Sequence, residues 1–480
     1  MDIMDLVSKG IIKITKGYGK KYGKDHDTPA IEDVMPVEIK GSQFNVGFSR
    51  DEIMPDTSTD KIYWIAGHGS GHKMEGIKTP VYASAVWIDC GNNEGILWIG
   101  ADIVGFTGVE VNKVRGMLAD FAKETGCKCI NISSTHSHSG IDTVGYWGKP
   151  FASVPSDGKD PEYIAMLMDK MVKVSKEAYA NRKPGKLYAG NKEIEESLAN
   201  RRAPKKKPFK KVTRIRFAPA DGSNETWILN FPAHPNSLGG SNRMLSAEYP
   251  YYLREKVKAD CGADVLYSIG AIGAVDAPEF GEDIKGFELI KMQGELIADA
   301  AMAIDNDVEL TPEIRFVQQP FYYPISNNVL TLLAMRHTFN ANVFPSEIGE
   351  MGLALRSELT YMNLGGKKLA TFPGEMFQQT VYGGYDSAEE SATGKGPEIN
   401  PTPISEIAGD PDLLVFGVTN DMTGYVVPPN DFVLHKTQPY LNKAYDRNNH
   451  DHYHETNSMG FESQQVIADT FTKVAARLDK

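Results

Sequence analysis

The sequence predicts an α/β fold: one large domain of mixed β-sheets flanked by helices. Three observations predict it. Short apolar runs of strand length alternate with longer stretches at helical spacing. The chain holds 45 Gly and 27 Pro in 480 residues, which reads as turns and strand ends, not as a helical bundle. Six of the apolar runs end in a loop that carries His, Asp, Glu or Tyr. In open parallel sheets, chemistry collects beyond the carboxyl ends of the strands.

Taken in order, residues 1–42 form an amphipathic lead-in in which Leu6, Ile11, Ile12 and Ile14 can pack while Lys and Gly dominate. We read it as an N-terminal extension lying on the main body, residues 43–480. Alternation starts at Phe44-Asn-Val-Gly-Phe-Ser. Gly95-Ile-Leu-Trp-Ile-Gly-Ala is a buried strand by length and composition. Val111, Val114, Leu118 and Phe121 then recur at helical spacing over 109–125, with Gly126 as the stop. Cys129-Ile-Asn-Ile-Ser is the next strand. Strand, helix and strand at this length make a βαβ unit, so the two strands are parallel neighbours.

The first of these strands runs into Asp102 and the second into Ser134-Thr-His-Ser-His-Ser-Gly140. The same punctuation returns four times. Strands starting at Thr226, Asp264, Lys367 and Leu413 end in Pro232-Ala-His-Pro, Gly270-Ala-Ile-Gly-Ala-Val-Asp, Pro373-Gly-Glu and Thr419-Asn-Asp-Met-Thr-Gly-Tyr. Six such ends imply one site assembled from several loops. Helices are expected at 160–180, 247–260, 284–304 and 461–478. Residues 384–412 read as an irregular loop, and the basic knot Lys205–Lys211 as a solvated one.

The charge balance is 51 Lys plus Arg against 63 Asp plus Glu, a formal −12. A moderately acidic chain gives no electrostatic reason to bind nucleic acid or an anionic membrane. No run of 18 apolar residues predicts a transmembrane helix, and the first residues lack the apolar core of a signal peptide. Four cysteines cannot staple a chain of this length; Cys127 and Cys129 are too close to pair with each other. A cytoplasmic protein with free thiols is the expectation.

Among the 11 His, the pair in Thr135-His-Ser-His-Ser-Gly and the one in Ala233-His-Pro sit at strand ends. His136 and His138 either point the same way, or one faces the site while the other packs behind it. They read as core histidines or as imidazoles offered to a metal. With His234 and Glu375 they reach the three protein ligands and open position of catalytic zinc. His68 and His72, in Gly67-His-Gly-Ser-Gly-His, are a further candidate pair in a Gly-rich setting that lets backbone approach a ligand, or else a flexible rim loop; His450, His452 and His454 form a cluster near the C-terminus, or else a solvated loop. No nucleophile elbow, Walker loop or dinucleotide fingerprint occurs in a strand–turn–helix context.

From about Asn45 to Gly460 the sequence resembles the catalytic region of the neutral, non-lysosomal ceramidase family. Asn45-Val-Gly-Phe-Ser-Arg, Gly76-Ile-Lys-Thr-Pro-Val-Tyr-Ala and Ile96–Asp102 follow its opening. Ser134–Gly140 is similar to the family's Thr-His-Thr-His-Ser-Gly, and Asn230–Ser237 to its Asn-x-x-x-His-Pro-Thr-Ser. Pro373–Glu375 and Asn420–Tyr425 come in the family's order. The resemblance implies a neutral-ceramidase-like domain with one zinc held by His136, His234, Glu375 and Tyr425. It places His138 beside the metal to orient substrate or handle a proton, and Arg201 near the reacting carbonyl or the headgroup. Three departures stand out. Asp276 occupies the place of the family's serine, and Tyr453 or His454 that of its Tyr-Glu-Gly tyrosine. The chain also stops where ceramidases continue into an immunoglobulin-like domain.

The expected function is zinc-dependent hydrolysis of an amide, most simply an N-acyl amide, by zinc-activated water. Tyr425 and His138 would stabilise the oxyanion and protonate the leaving amine. A zinc-dependent esterase or lactonase, and a non-catalytic zinc-binding protein, are the alternatives. The partner is a small-molecule substrate. Asp276 either faces the pocket and selects polar substrates or caps the following turn. The substrate's identity and the oligomeric state stay open.

Overall fold

The alternation in the apolar runs divides them between two layers. Along Gly95–Ala101, buried at all seven positions, Leu97 and Ile99 face one core while Ile96 and Trp98 face another. A strand with both faces buried belongs inside a stack of layers. The architecture, given by a computed structural model that describes residues 3–150, 156–202, 208–338 and 340–479, is such a stack.

In chain order the principal strands begin with β1 (Val37–Lys40), β2 (Phe44–Glu52), β3 (Tyr82–Asp89), β4 (Gly95–Ala101) and β5 (Cys127–Ser134). They continue with β6 (Lys183–Glu193), β7 (Lys211–Pro219), β8 (Thr226–Phe231) and β9 (Asp264–Ile269). The last are β10 (Glu313–Ile325), β11 (Leu353–Leu364), β12 (Lys367–Thr371) and β13 (Leu414–Phe416). The first sheet runs β9-β8-β7-β6-β2-β3-β4-β5, with Val308–Glu309 beside β6. The second runs β1-β10-β11-β12-β13, with Val343–Pro345 beside β11. Within these two sheets three pairs are parallel: β4–β5, β8–β9 and β12–β13. They are the six strands whose ends the sequence marks with polar loops.

The sheets stack face to face over an apolar layer, with the rings of Trp98 and Phe416 centred 4.3 Å apart. Buried asparagines tie the layers together. Asn420 accepts from Ile132 N at 2.8 Å and donates to Asn131 Oδ1 at 2.9 Å, and Asn230 Nδ2 donates to Val415 O at 3.0 Å.

Helices cover the outer faces. In order they are α1 (Ile3–Asp25), α2 (Gly108–Met117), α3 (Ala119–Thr125), α4 (Pro161–Ala180), α5 (Tyr249–Cys261), α6 (Gly286–Met302), α7 (Asn328–Met335) and α8 (Ser463–Leu478). α4 packs on β2 and β3 with α2 beside it, α5 on β9, α6 on β6 and β7, and α8 on β10 and β11. α4 starts as its sequence says: Pro161 takes the first turn, and the Asp160 carboxylate accepts from Tyr163 N at 2.8 Å.

The helix expected at 109–125 is two, because Leu118, at φ −95° and ψ 3°, caps both α2 and α3. Gly126 does end it, in the left-handed region at φ +68°, where a Cβ would lie 2.3 Å from Asn93 O. Residues 384–412 are largely irregular, with short helical turns at Pro397–Ile399 and Ile404–Ile407. Part of the Lys205–Lys211 knot lies outside the described residues. No helix among the described residues is long and apolar enough to cross a membrane.

Cys127 and Cys129 lie on β5, and burial pushes the Cys127 thiol up to about 12, with Cys129 also raised. Protonated thiols are poor nucleophiles and poor metal ligands. The variant Cys127→Ala/Cys129→Ala should therefore keep its metal content and its turnover within a few-fold. Loss of activity in a folded double variant would reveal a thiolate role.

Candidate active site

The loop after β5 turns sharply at His136, whose φ is +60°. The left-handed region is uncommon for a residue with a Cβ and costs on the order of 1 kcal/mol, so it survives only where neighbours hold it. The turn puts the rings of His136 and His138 4.8 Å apart, both lining one cavity. The loop after β8 brings His234, whose ring lies 5.3 Å from His136 and 5.5 Å from His138. One nitrogen from each of the three comes within 4.8 Å of the others.

The proton placement follows from the partners. His136 Nδ1 lies 2.6 Å from Val104 O, and His234 Nδ1 lies 2.8 Å from Val275 O. A carbonyl only accepts, so each ring carries its proton on Nδ1 and turns its Nε2 lone pair inward. There the Glu375 carboxylate waits, 2.8 Å from His234 Nε2 and 3.5 Å from His136 Nε2. Burial and the nearby Arg201 hold the His234 imidazole below its usual range, hence neutral. Lone pairs facing a carboxylate at this distance repel unless a cation lies among them. Two imidazoles whose Nδ1 atoms are held by carbonyls, together with one carboxylate, suit zinc.

His138 is different. Both of its ring nitrogens are buried without a partner. Burial, then the neighbouring His136, pushes it well below the usual histidine range, so it is neutral. Tyr425, beyond β13, sits with its ring 6.4 Å from that of His234 and lines the same cavity as Arg201. Burial raises the Tyr425 phenol well above its ordinary value.

Arg201 comes from the short strand Ala199–Asn200, which pairs with Val275–Asp276. Its Nη1 donates to the Tyr453 hydroxyl at 2.5 Å. Its Nη2 lies 3.0 and 3.1 Å from the two ring nitrogens of His234, a placement against the ring face. Its Nε is 3.3 Å from Asp276 Oδ1, and Asp276 also accepts from Asn236 Nδ2 at 2.8 Å. The Asp276 carboxylate is thus engaged with an arginine and an asparagine of the site.

The solvated-loop reading of residues 450–454 holds only in part. His452 and His454 are buried; His450 is partly exposed. Arg202 is the reason: it is buried and bonded to Asp431 Oδ2 at 2.7 Å and Glu455 Oε1 at 2.8 Å. Those pairs draw the 451–457 segment inward. Burial would raise Glu455, but Arg202 holds it down to about 2. His454 stacks on Tyr453 at 4.0 Å, which backs the Tyr453–Arg201 contact.

Asp102, marked as a strand-end acid, is bonded by both oxygens to Arg254, at 2.9 and 2.6 Å, and serves the packing. Of the candidate pair His68 and His72, His68 reaches the site. Its ring is 5.1 Å from His138, and its Nε2 is buried without a partner. Gly67 made the approach legible: at φ +102°, a Cβ there would lie 2.4 Å from His138.

The cavity is about 530 Å³. One end is polar, with His68, His136, His138, Arg201, Glu375 and Tyr453. The other is apolar, formed by Tyr146, Trp147, Val329, Leu330, Tyr440 and Leu441.

Residues 64–259 match the family described as neutral/alkaline non-lysosomal ceramidase, N-terminal. Two solved structures share the fold. One is the neutral ceramidase of Pseudomonas aeruginosa, at TM-score 0.65 and 17% identity, over 91% of this chain and 75% of that one. The other is a ceramidase complexed with C2, at TM-score 0.67 and 16% identity, again over 91% and 75%. Residues 64–259 are therefore similar in sequence to the neutral/alkaline non-lysosomal ceramidase N-terminal region, and the chain shares its fold with neutral ceramidase.

Proposed function

We propose that the chain is a zinc-dependent hydrolase that cleaves the amide bond of an N-acyl amide with activated water. The observation that carries the reading is the convergence of two carbonyl-fixed histidines, His136 and His234, on the Glu375 carboxylate at the head of a half-apolar cavity. His136, His234 and Glu375 would hold the zinc, with Tyr425 as the fourth ligand. Bound there, zinc would supply a Lewis acid and lower the pKa of water toward about 7.

The chain's own groups divide the remaining work. His138 is neutral and unpartnered, so it accepts a proton from the attacking water and returns it to the leaving amine. Arg201 donates toward the polar end of the cavity, where charge develops on the carbonyl oxygen. The wall of Val329, Leu330, Tyr440 and Leu441 receives the acyl chain and excludes water. The engagement of Asp276 with Arg201 favours a second reading, a zinc esterase or lactonase. It partly neutralises the group that would otherwise meet the substrate's headgroup.

Elemental analysis and a substrate panel test the proposal. Protein purified without added metal should hold one zinc per chain, and His136→Ala or His234→Ala should lose it. His138→Gln should keep the zinc and lose roughly 100-fold or more in kcat. Full zinc in both alanine variants would remove the ligand assignment. Turnover of esters and lactones but of no N-acyl amide would select the second reading.

Asp276 gives a separate test. Asp276→Asn keeps the shape and removes the charge that holds Arg201; Asp276→Ser installs the family's residue. Both should retain zinc and change KM in a way that depends on the substrate's polar groups. Trapping of an acyl group on Asp276 during turnover would overturn the water mechanism.

A further inference from the structure

The formal charge of −12 is an average that hides one basic element. α1 carries six Lys against two Asp in 23 residues. Its buried side, Ser8, Ile11, Thr15 and Gly19, follows a helical stripe and packs on the second sheet. Gly19 lets the backbones meet there, since a Cβ would lie 1.8 Å from Met351 O. Lys16 anchors the middle to Glu350 at 3.1 Å, and the Tyr22 hydroxyl donates to Val343 O at 3.1 Å. The helix is thus fixed along one side.

Its other side is apolar and exposed. Ile3, Leu6, Val7 and Ile14 are 76, 52, 41 and 56% exposed. With Met4 they make five of the thirteen large apolar side chains exposed among the described residues, on a twentieth of the chain. Ile3, Val7 and Ile14 share one stripe at helical spacing, and Leu6 borders it. Gly10 and Gly17 lie between them facing open space, which keeps the stripe low and continuous. Lys13, Lys20, Lys21 and Lys24 are exposed and flank it. A ridge of aliphatic residues bordered by long cationic side chains fits the boundary between headgroups and acyl chains.

The position points the same way. Asp5 accepts from Gln438 Nε2 at 2.9 Å, two residues before Tyr440, which lines the cavity. α1 also packs against α7, whose Val329 and Leu330 line the same cavity. The apolar end of the helix therefore sits beside the apolar end of the cavity. We propose that α1 is a lipid-docking helix. Ile3, Leu6, Val7 and Ile14 enter an anionic membrane surface beside the active-site cavity, held there by the lysines of the same helix.

Co-sedimentation with vesicles tests this without relying on catalysis, so its outcome is separable from that of the hydrolase reading. The wild-type chain should bind vesicles of phosphatidylcholine plus phosphatidylglycerol and release them as salt rises, because surface attraction is screened. It should bind vesicles of phosphatidylcholine alone far less. Two variants report on the two halves of the surface: Ile3→Ser/Leu6→Ser/Val7→Ser/Ile14→Ser and Lys13→Glu/Lys20→Glu/Lys21→Glu/Lys24→Glu. Each should weaken binding at least roughly tenfold while keeping the wild-type circular dichroism and metal content. No binding of the wild type to anionic vesicles, or binding by either variant as tight as that of the wild type, would overturn the proposal. So would a lipid-free dimer that the serine variant dissociates, which would make a second copy the occupant.

Discussion

Three parallel strand pairs end on one side of two stacked sheets, and the site depends on that constraint. A parallel pair sends both carboxyl ends the same way. The pairs β4–β5 and β8–β9 belong to one sheet and β12–β13 to the other. Stacking the sheets brings the loops bearing His136, His234, Glu375 and Tyr425 into one volume. The registration is polar as well as apolar, through Asn131, Asn230 and Asn420. Asn420 itself sits at φ +67°, so the loop toward Tyr425 is bent where its side chain is fixed to the other sheet. Replacing such a buried asparagine leaves its partners unpaired, at about 1–3 kcal/mol each.

The polar end of the cavity is built from groups that could not be buried singly. Glu375 faces two imidazole lone pairs, a repulsion that a cation among them would relieve, and Arg201 is tolerable because Tyr453, Asp276 and the ring of His234 surround it. Behind them the pairs of Arg202 with Asp431 and Glu455 form a second buried unit. Breaking a buried pair from one side costs about 3–5 kcal/mol, since the other charge is stranded. Arg201 and Arg202 are adjacent in sequence yet belong to different units, one facing the cavity and one closing the 451–457 segment behind it.

Much of this was legible in the sequence, for a physical reason. Strand ends announce themselves by an apolar run followed by Gly, Pro and a chemical side chain, and each of the six runs singled out contains a strand. Helix bounds were readable where a cap was written, as at Asp160 and Gly126. The break at Leu118 carries no such mark; an apolar residue of good helix propensity ends one helix there and begins another. His452 and His454 looked solvated because their neighbours are polar. Their burial follows from an arginine about 250 positions away, and local composition does not report such partners. The site residues were readable as candidates. Their joint geometry, above all the carbonyls of Val104 and Val275 that fix the ring protons, was not.

The shape of the cavity restricts what a hydrolase at this site could do. Its polar head and apolar tail are set by different parts of the fold: strand-end loops for the first, α7 and the loop through Tyr440 for the second. An amphipathic substrate that turned its carbonyl toward His138 would lay its chain along Val329 and Leu330. The reverse pose would desolvate Arg201 and Glu375 against hydrocarbon, and a charge without a polar partner costs several kcal/mol. The restriction comes from the cavity rather than from any single contact. A change at Asp276 that alters the affinity for one headgroup over another should accordingly leave the direction of entry intact.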